Sequence, residues 1–279
     1  MIPDDAGRPT TVLLRGGCPV HAWVDGGTTA PMVVLLHGAG MDHRMFDAQV
    51  GPLLAAGYRV MTLDQRGHGR SRPLGEVPLS VADLAGDVLA LADEVAAPRL
   101  ALVGQSLGGF VAQHLAVHHP ERVTTLVTIG SSCTTTALPP HERYLLRSSL
   151  TWFRYWPWQD LRRRSARATA VTPAAQAYAH EAMGLLTKED FLQVWRAVTE
   201  AIQPVAGHRA VHPLLLTHGD RDNTGTVRKS VATWAAQEPG ATYVVVPDAG
   251  HNANQDNPEH VNRVLLDHLQ RYVPVGGAA

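Results

Sequence analysis

Ten consecutive residues, Leu100-Ala101-Leu102-Val103-Gly104-Gln105-Ser106-Leu107-Gly108-Gly109, constrain this chain more than any other stretch. The aliphatic run reads as a buried strand, and it passes through G-x-S-x-G into an apolar segment with helical character. A strand that becomes a helix so abruptly needs a sharp turn. Such a turn forces its central residue into a sparsely populated backbone conformation, and Gly104 and Gly108 remove the side chains that would collide with it. Ser106 is thereby raised at the carboxyl edge of a sheet. The helix that begins there aims its unpaired N–H groups and positive dipole end at any negative charge forming beside the serine, with Leu107 N–H first.

The rest of the chain supplies the sheet. From Met32 onward, MVVLL, RVMTL, RLALV, VTTLVTI, PLLLTHG and YVVVP alternate with helical patterns, a rhythm that predicts parallel strands joined by crossover helices. Helices are expected near His43 to Ala56, from Ser80 to Val95, after Ser106 and after Asn257-Pro258. In the second of these, Ser80 and Asp83 make an N-terminal capping pattern, and Val81, Leu84, Val88, Leu91 and Val95 share one face. Ahead of them, Thr11 to Leu14, Gly16-Gly17 and Val20 to Val24 read as a β-hairpin at one antiparallel edge. Between Ser131 and His212 the chain is helix-forming and lacks strand-like runs. The expected organisation is an α/β core of residues 1–130 and 213–279, interrupted by a helical cap over residues 131–212.

Three further segments carry candidate chemistry. His37-Gly38-Ala39-Gly40 directly follows MVVLL, where a second oxyanion donor belongs; Ala39 N–H is the candidate, and Gly38 is expected to line the substrate. A dinucleotide-binding loop is the rival reading of HGAG, but G-x-G-x-x-G needs glycine where His43 stands. The loop after PLLLTHG offers two carboxylates, Asp220 and Asp222, of which one can face a histidine. His251 follows the last strand in Asp248-Ala249-Gly250-His251-Asn252, where the small residues before it let an imidazole approach the sheet edge. His114 and His118 lie one helical turn apart, a spacing found in metal sites, yet the helix dipole and solvent account for histidines near a helix end. No metal and no cofactor are expected.

In their chain order, HGAG, DQRGHGRS at Asp64 to Ser71, GQSLGG, HGDRD and DAGHNANQDNPE resemble the α/β-hydrolase superfamily, over nearly the whole chain except the cap. The resemblance implies an eight-stranded, mostly parallel sheet with helices on both faces, and a Ser–acid–His order of catalytic groups. It favours Asp222, because the acid of that family commonly stands three residues after the glycine matched by Gly219; Asp220 is the fallback. A serine at the elbow separates this chain from the dehalogenases and epoxide hydrolases of that fold, whose nucleophile is a carboxylate. HGAGMD also lacks the Gly-Gly-Pro-Gly typical of proline iminopeptidases and the Gly-Pro-Gly of many carbon–carbon bond hydrolases. The expected activity is therefore cleavage of a carboxylic ester, lactone or thioester through an acyl-enzyme. A non-hydrolytic enzyme on the same scaffold (lyase, cofactor-free oxygenase or perhydrolase) is the rival, followed by a ligand receptor that retains a slow triad.

Composition sets the surroundings. A formal net charge of −1 gives no field to gather phosphate backbones, so nucleic acid is not an expected partner. The opening MIPDDAGRPT is polar and acidic where a secretory signal would be basic and then apolar, and no later run could span a bilayer; a cytoplasmic protein without membrane contact is expected. Cys18 and Cys133 read as two free thiols. In the cap, Trp152, Phe153, Tyr155, Trp156 and Trp158 are candidates to wall a pocket for an apolar acyl or alcohol group, with Trp152, Trp156 and Trp158 the named contacts, although plain packing within the cap is the preferred reading of them. Arg162-Arg163-Arg164 with Arg167 circles its helix and reads as a solvated face.

Overall fold

The hairpin expected at the N-terminus forms as β1 (Thr10–Arg15) and β2 (Cys18–Asp25), turned by Gly16 and Gly17, both at positive φ where a side chain would be strained. The computed structural model describes residue 8 and residues 10–276, so the ends of the expected core range, and most of the polar opening segment, lie outside the described residues. There follow β3 (Met32–Leu36), α1 (Asp47–Ala55), β4 (Arg59–Leu63), α2 (Val81–Glu94), β5 (Leu100–Gln105), α3 (Leu107–His118) and β6 (Val123–Ile129). Four helices come next: α4 (Pro140–Tyr155), α5 (Trp158–Thr169), α6 (Pro173–Met183) and α7 (Lys188–Glu200). The chain then returns as β7 (Leu214–Gly219), α8 (Val227–Gln237), β8 (Thr242–Val246), the short α9 (Ala253–Asp256) and α10 (Pro258–Tyr272).

The eight strands make one sheet in the order β1-β2-β4-β3-β5-β6-β7-β8. β2 runs antiparallel to both neighbours, and every pairing from β4 to β8 is parallel. Every residue of β3 and β5 is buried, as strands covered on both faces require. Alternate residues serve opposite faces: Val34, Leu36, Leu100 and Leu102 pack with α2, α3 and α8, while Val33, Leu35, Ala101 and Val103 pack with α1 and α10. The outermost strands behave differently. β1 alternates between exposed and half-buried residues, and Tyr243 and Val245 of β8 are exposed.

Ser80 caps α2 as expected, its side chain accepting from Asp83 N–H while the Asp83 carboxylate accepts from Ser80 N–H, and Val81, Leu84, Val88 and Leu91 are buried. The helix expected from His43 divides in two. Asp42 accepts from Arg44 N–H and starts a single 3₁₀ turn, His43–Phe46, before α1 begins. The arginine run also departs from expectation: Arg163 pairs with Asp160 near solvent and Arg164 lies over Trp156, but Arg162 turns inward and donates to His180 O (2.9 Å), joining α5 to α6. Cys18 and Cys133 are both free and buried. No helix among the described residues is long and apolar enough to cross a membrane.

Candidate active site

A parallel sheet collects the carboxyl ends of its strands along one edge, and Gly38, Ala39, Ser106, Leu107, Asp222 and His251 stand on loops or a helix start that follow β3, β5, β7 and β8 there. Ser106 follows β5 with φ 49° and ψ −112°, a conformation that costs a non-glycine residue about 1–3 kcal/mol. Its neighbours leave it no other course. A Cβ on Gly104 would strike the Gly108 carbonyl, and one on Gly108 would strike the Leu36 carbonyl of β3 and approach Leu36 Cβ at 2.8 Å. The elbow is thus wedged between β3 and the first turn of α3. Gly108→Ala should destabilise the fold by about 1–3 kcal/mol, read as a lower midpoint in thermal unfolding; an unchanged midpoint would contradict so tight a wedge. Ser106 N–H donates to Ile129 O (3.0 Å) and Ser131 Oγ donates to Ser106 O (2.9 Å), which ties the elbow to the end of β6.

Of the two carboxylates after β7, Asp222 meets the histidine. His251 Nδ1 lies 2.9 Å from Asp222 Oδ2, and both side chains are buried. Thr224 N–H donates to Asp222 Oδ1 at 2.8 Å. Burial pushes the Asp222 carboxyl up, but the imidazole's charge and hydrogen bond, together with Thr224, more than offset it and hold the group below the usual carboxylate range. Asp220 has another task, accepting from Ala249 N–H (3.1 Å) and so lacing the loop after β7 to the loop that carries His251. Gln105, the residue before the serine, donates from Nε2 to His251 O (3.1 Å). Among the described residues no hydrogen bond joins Ser106 Oγ to the His251 ring, a link that in many unliganded sites tightens only around substrate.

Leu107 is the first residue of α3, so its N–H has no partner within the helix. After β3, Met41 N–H donates to Gly38 O (3.1 Å) and closes a turn with Ala39 and Gly40 at its centre, Gly40 at φ +80°. Sequence reasoning missed what fixes this turn: Gly40 N–H donates to Nε2 of buried His68 at 3.0 Å. Burial, with neighbouring His37 next, pushes the His68 imidazole down to about 3; it is neutral, and Nδ1–H is left to donate to Arg66 O (3.0 Å). The motif DQRGHGRS entered the sequence reading only as part of the family resemblance, which does not say which N–H the ring would accept. Gly38 is buried against Gln105 and Ser106, where a Cβ would reach Ser106 Cβ at 3.4 Å.

The three tryptophans named from the sequence part company. Trp152 is 70% exposed on the outward face of α4, so it does not share a wall with the other two. Trp156 and Trp158 pack against the core on the α1 and α10 side, and Trp158 lies 5.3 Å, ring to ring, from Phe191 of α7. Phe191 and Met183 abut Gly40. Tyr178 of α6 reaches the same loop, its hydroxyl accepting from Asp42 N–H at 3.1 Å. These residues lie far along the chain from Trp158, and only the folding of the insertion brings them together. Asp42, His43 and Asp64 bring possible ligand atoms within 4.8 Å of one another. The carboxylates are already engaged, Asp42 by Arg44 and Tyr178, Asp64 by His43 and Arg70 N–H.

The profile of the alpha/beta hydrolase family matches residues 33–264. The chain belongs to that family. Among relatives of this alpha/beta hydrolase is the pimeloyl-[acyl-carrier protein] methyl ester esterase of Aeromonas hydrophila, 45% identical over 102 residues, which are 37% of this chain and 38% of the relative. The chain thus spans well under half of that relative. The enzyme of the same name from Pectobacterium atrosepticum is 30% identical over 262 residues, 89% of this chain and 98% of the relative. A hydrolase from Pseudomonas aeruginosa superposes with a TM-score of 0.82 at 25% identity, over 95% of this chain and 99% of the other.

Proposed function

We propose that this alpha/beta hydrolase is a serine hydrolase that cleaves a carboxylic ester, or the chemically equivalent lactone or thioester, through an acyl-enzyme on Ser106. The observation that carries the reading is the buried His251–Asp222 pair at 2.9 Å, on the same sheet edge as a strained serine at the start of α3. In this reading His251 Nε2 takes the Ser106 proton as Oγ attacks the carbonyl carbon, and the Leu107 and Ala39 N–H groups hold the oxyanion. His251 then gives its proton to the departing alcohol. Water, activated by the same imidazole, attacks the acyl-enzyme and releases the acid and free serine. Asp222 keeps Nδ1 protonated and steadies the imidazolium. The ester esterases among the relatives support an acyl donor of this kind.

Residues 131–212 act as a cap over a core of 1–130 and 213–279, with Trp156, Trp158, Phe191 and Met183 offering apolar surface to a small-molecule substrate. Incubation with a fluorophosphonate probe should place one adduct on Ser106, and p-nitrophenyl esters of graded acyl length should be turned over repeatedly. A chain inert to the probe yet active on its substrate would reject the acyl-enzyme and leave His251 as a base acting alone.

A further inference from the structure

His251 sits in a loop, and its two flanking amides both lead into the helical insertion. On one side, Gly250 N–H donates to Asp256 Oδ2 at 2.9 Å. The same carboxylate accepts from Val171 N–H (2.9 and 3.0 Å), Thr172 N–H (2.8 Å) and the Thr172 hydroxyl (2.9 Å), all in the loop between α5 and α6. On the other side, Asn252 N–H donates to Thr169 O at 2.7 Å. The approach between the two loops is close: a Cβ on Gly250 would lie 3.2 Å from Thr169 O and 3.3 Å from Ala170 Cα. A carboxylate bonded to several N–H and O–H donors forms bonds stronger than neutral ones, so this connection is stiff.

We infer that Asp256 is a positioning residue that latches the insertion to the His251 loop, so that the placement of the imidazole depends on the insertion being docked. The inference rests on the role proposed for His251. Asp256 touches no reacting atom. It acts by fixing the backbone on which His251 stands, while Gln105 holds the carbonyl of the same residue from the serine's strand. Thr172 contributes doubly, since its hydroxyl donates to Asp256 and accepts from Ala175 N–H to cap α6.

The test uses the full chain carrying Asp256→Asn, in which the amide NH₂ opposes N–H groups that now find an acceptor. Misplacing a catalytic group by about an ångström costs on the order of 10²-fold in rate. With p-nitrophenyl butyrate, kcat should fall by about 10- to 100-fold while KM stays within about threefold, and fluorophosphonate labelling of Ser106 should slow in parallel. A folded variant that keeps wild-type kcat and labelling rate overturns the latch. Should Asp256→Asn not fold, Thr172→Ala loosens only the insertion side. Amide hydrogen exchange over residues 249–253 should then accelerate, and unchanged exchange overturns the inference. Exchange does not depend on catalysis, so it separates failure of the latch from failure of the serine mechanism, which Ser106→Ala judges by itself.

Discussion

Alanine at Ser106, or at His251, is expected to lower kcat for an activated ester by on the order of 10⁶-fold, and the double variant should be scarcely worse. In the proposed mechanism the two groups act as one unit: without the imidazole the hydroxyl keeps its proton, and without the hydroxyl the imidazole has no serine proton to take. What should remain in each variant is the proposed oxyanion hole, the N–H groups of Leu107 and Ala39. Stability should separate two replacements of the serine. Alanine retains a Cβ at φ 49° and leaves the strain in place, so its thermal midpoint should stay near that of the wild type. Glycine accepts that conformation, and Ser106→Gly should be equally inactive but more stable by about 1 kcal/mol. Parallel calorimetry and ester turnover on the three proteins decide the matter; a Ser106→Ala variant with even one-tenth of wild-type kcat would remove the serine from the mechanism.

The parallel core was legible because its strands are buried on both sides and so read as unbroken aliphatic runs, as in Val33 to Leu36 and Leu100 to Val103. The elbow was legible because two glycines and a serine fit few other uses between a strand and a helix. Which carboxylate faces the histidine was legible only through the family resemblance, which favoured Asp222 as the structure has it, and not from the loop itself. Asp220 and Asp222 stand two residues apart in one loop, and nothing local says that the first will be taken by Ala249 N–H while the second turns to His251.

The insertion was legible as helices and opaque as surfaces. Trp152 and Trp158 have the same chemistry and lie six residues apart, yet one faces solvent and the other packs toward Phe191. Helical periodicity says which residues share a face, but the direction of that face is set by contacts from elsewhere, here α6 and α7. Buried polar links escaped for the same reason. His68 accepting from Gly40, Tyr178 bonded to Asp42 and Asp256 spanning two loops all join residues distant in sequence, and each needs the fold before its partner can be named.

Asp222→Asn should lower kcat by roughly 10⁴-fold while leaving the fold intact. The geometry explains why so small a change costs so much. Thr224 N–H donates to Asp222 Oδ1, and an asparagine keeps that bond only by placing its oxygen there. Its NH₂ then points at His251 Nδ1, which can answer only by giving up its proton and becoming an acceptor. The proton moves to Nε2, the atom proposed to take the proton of Ser106, and that base is lost without any atom leaving its place. Raising the pH should not restore the rate, because the wrong tautomer is neutral. Stability should change in its pH dependence. In the wild type the Asp222 carboxyl is held below its ordinary value, so its contribution is complete above about pH 4 and is lost as the pH falls through the lower folded-state value. The asparagine variant lacks that acid-labile portion, and its unfolding midpoint should decline less steeply below pH 4. An Asp222→Asn enzyme with near wild-type kcat would transfer the acid's role to another group, with Asp220 the first to test.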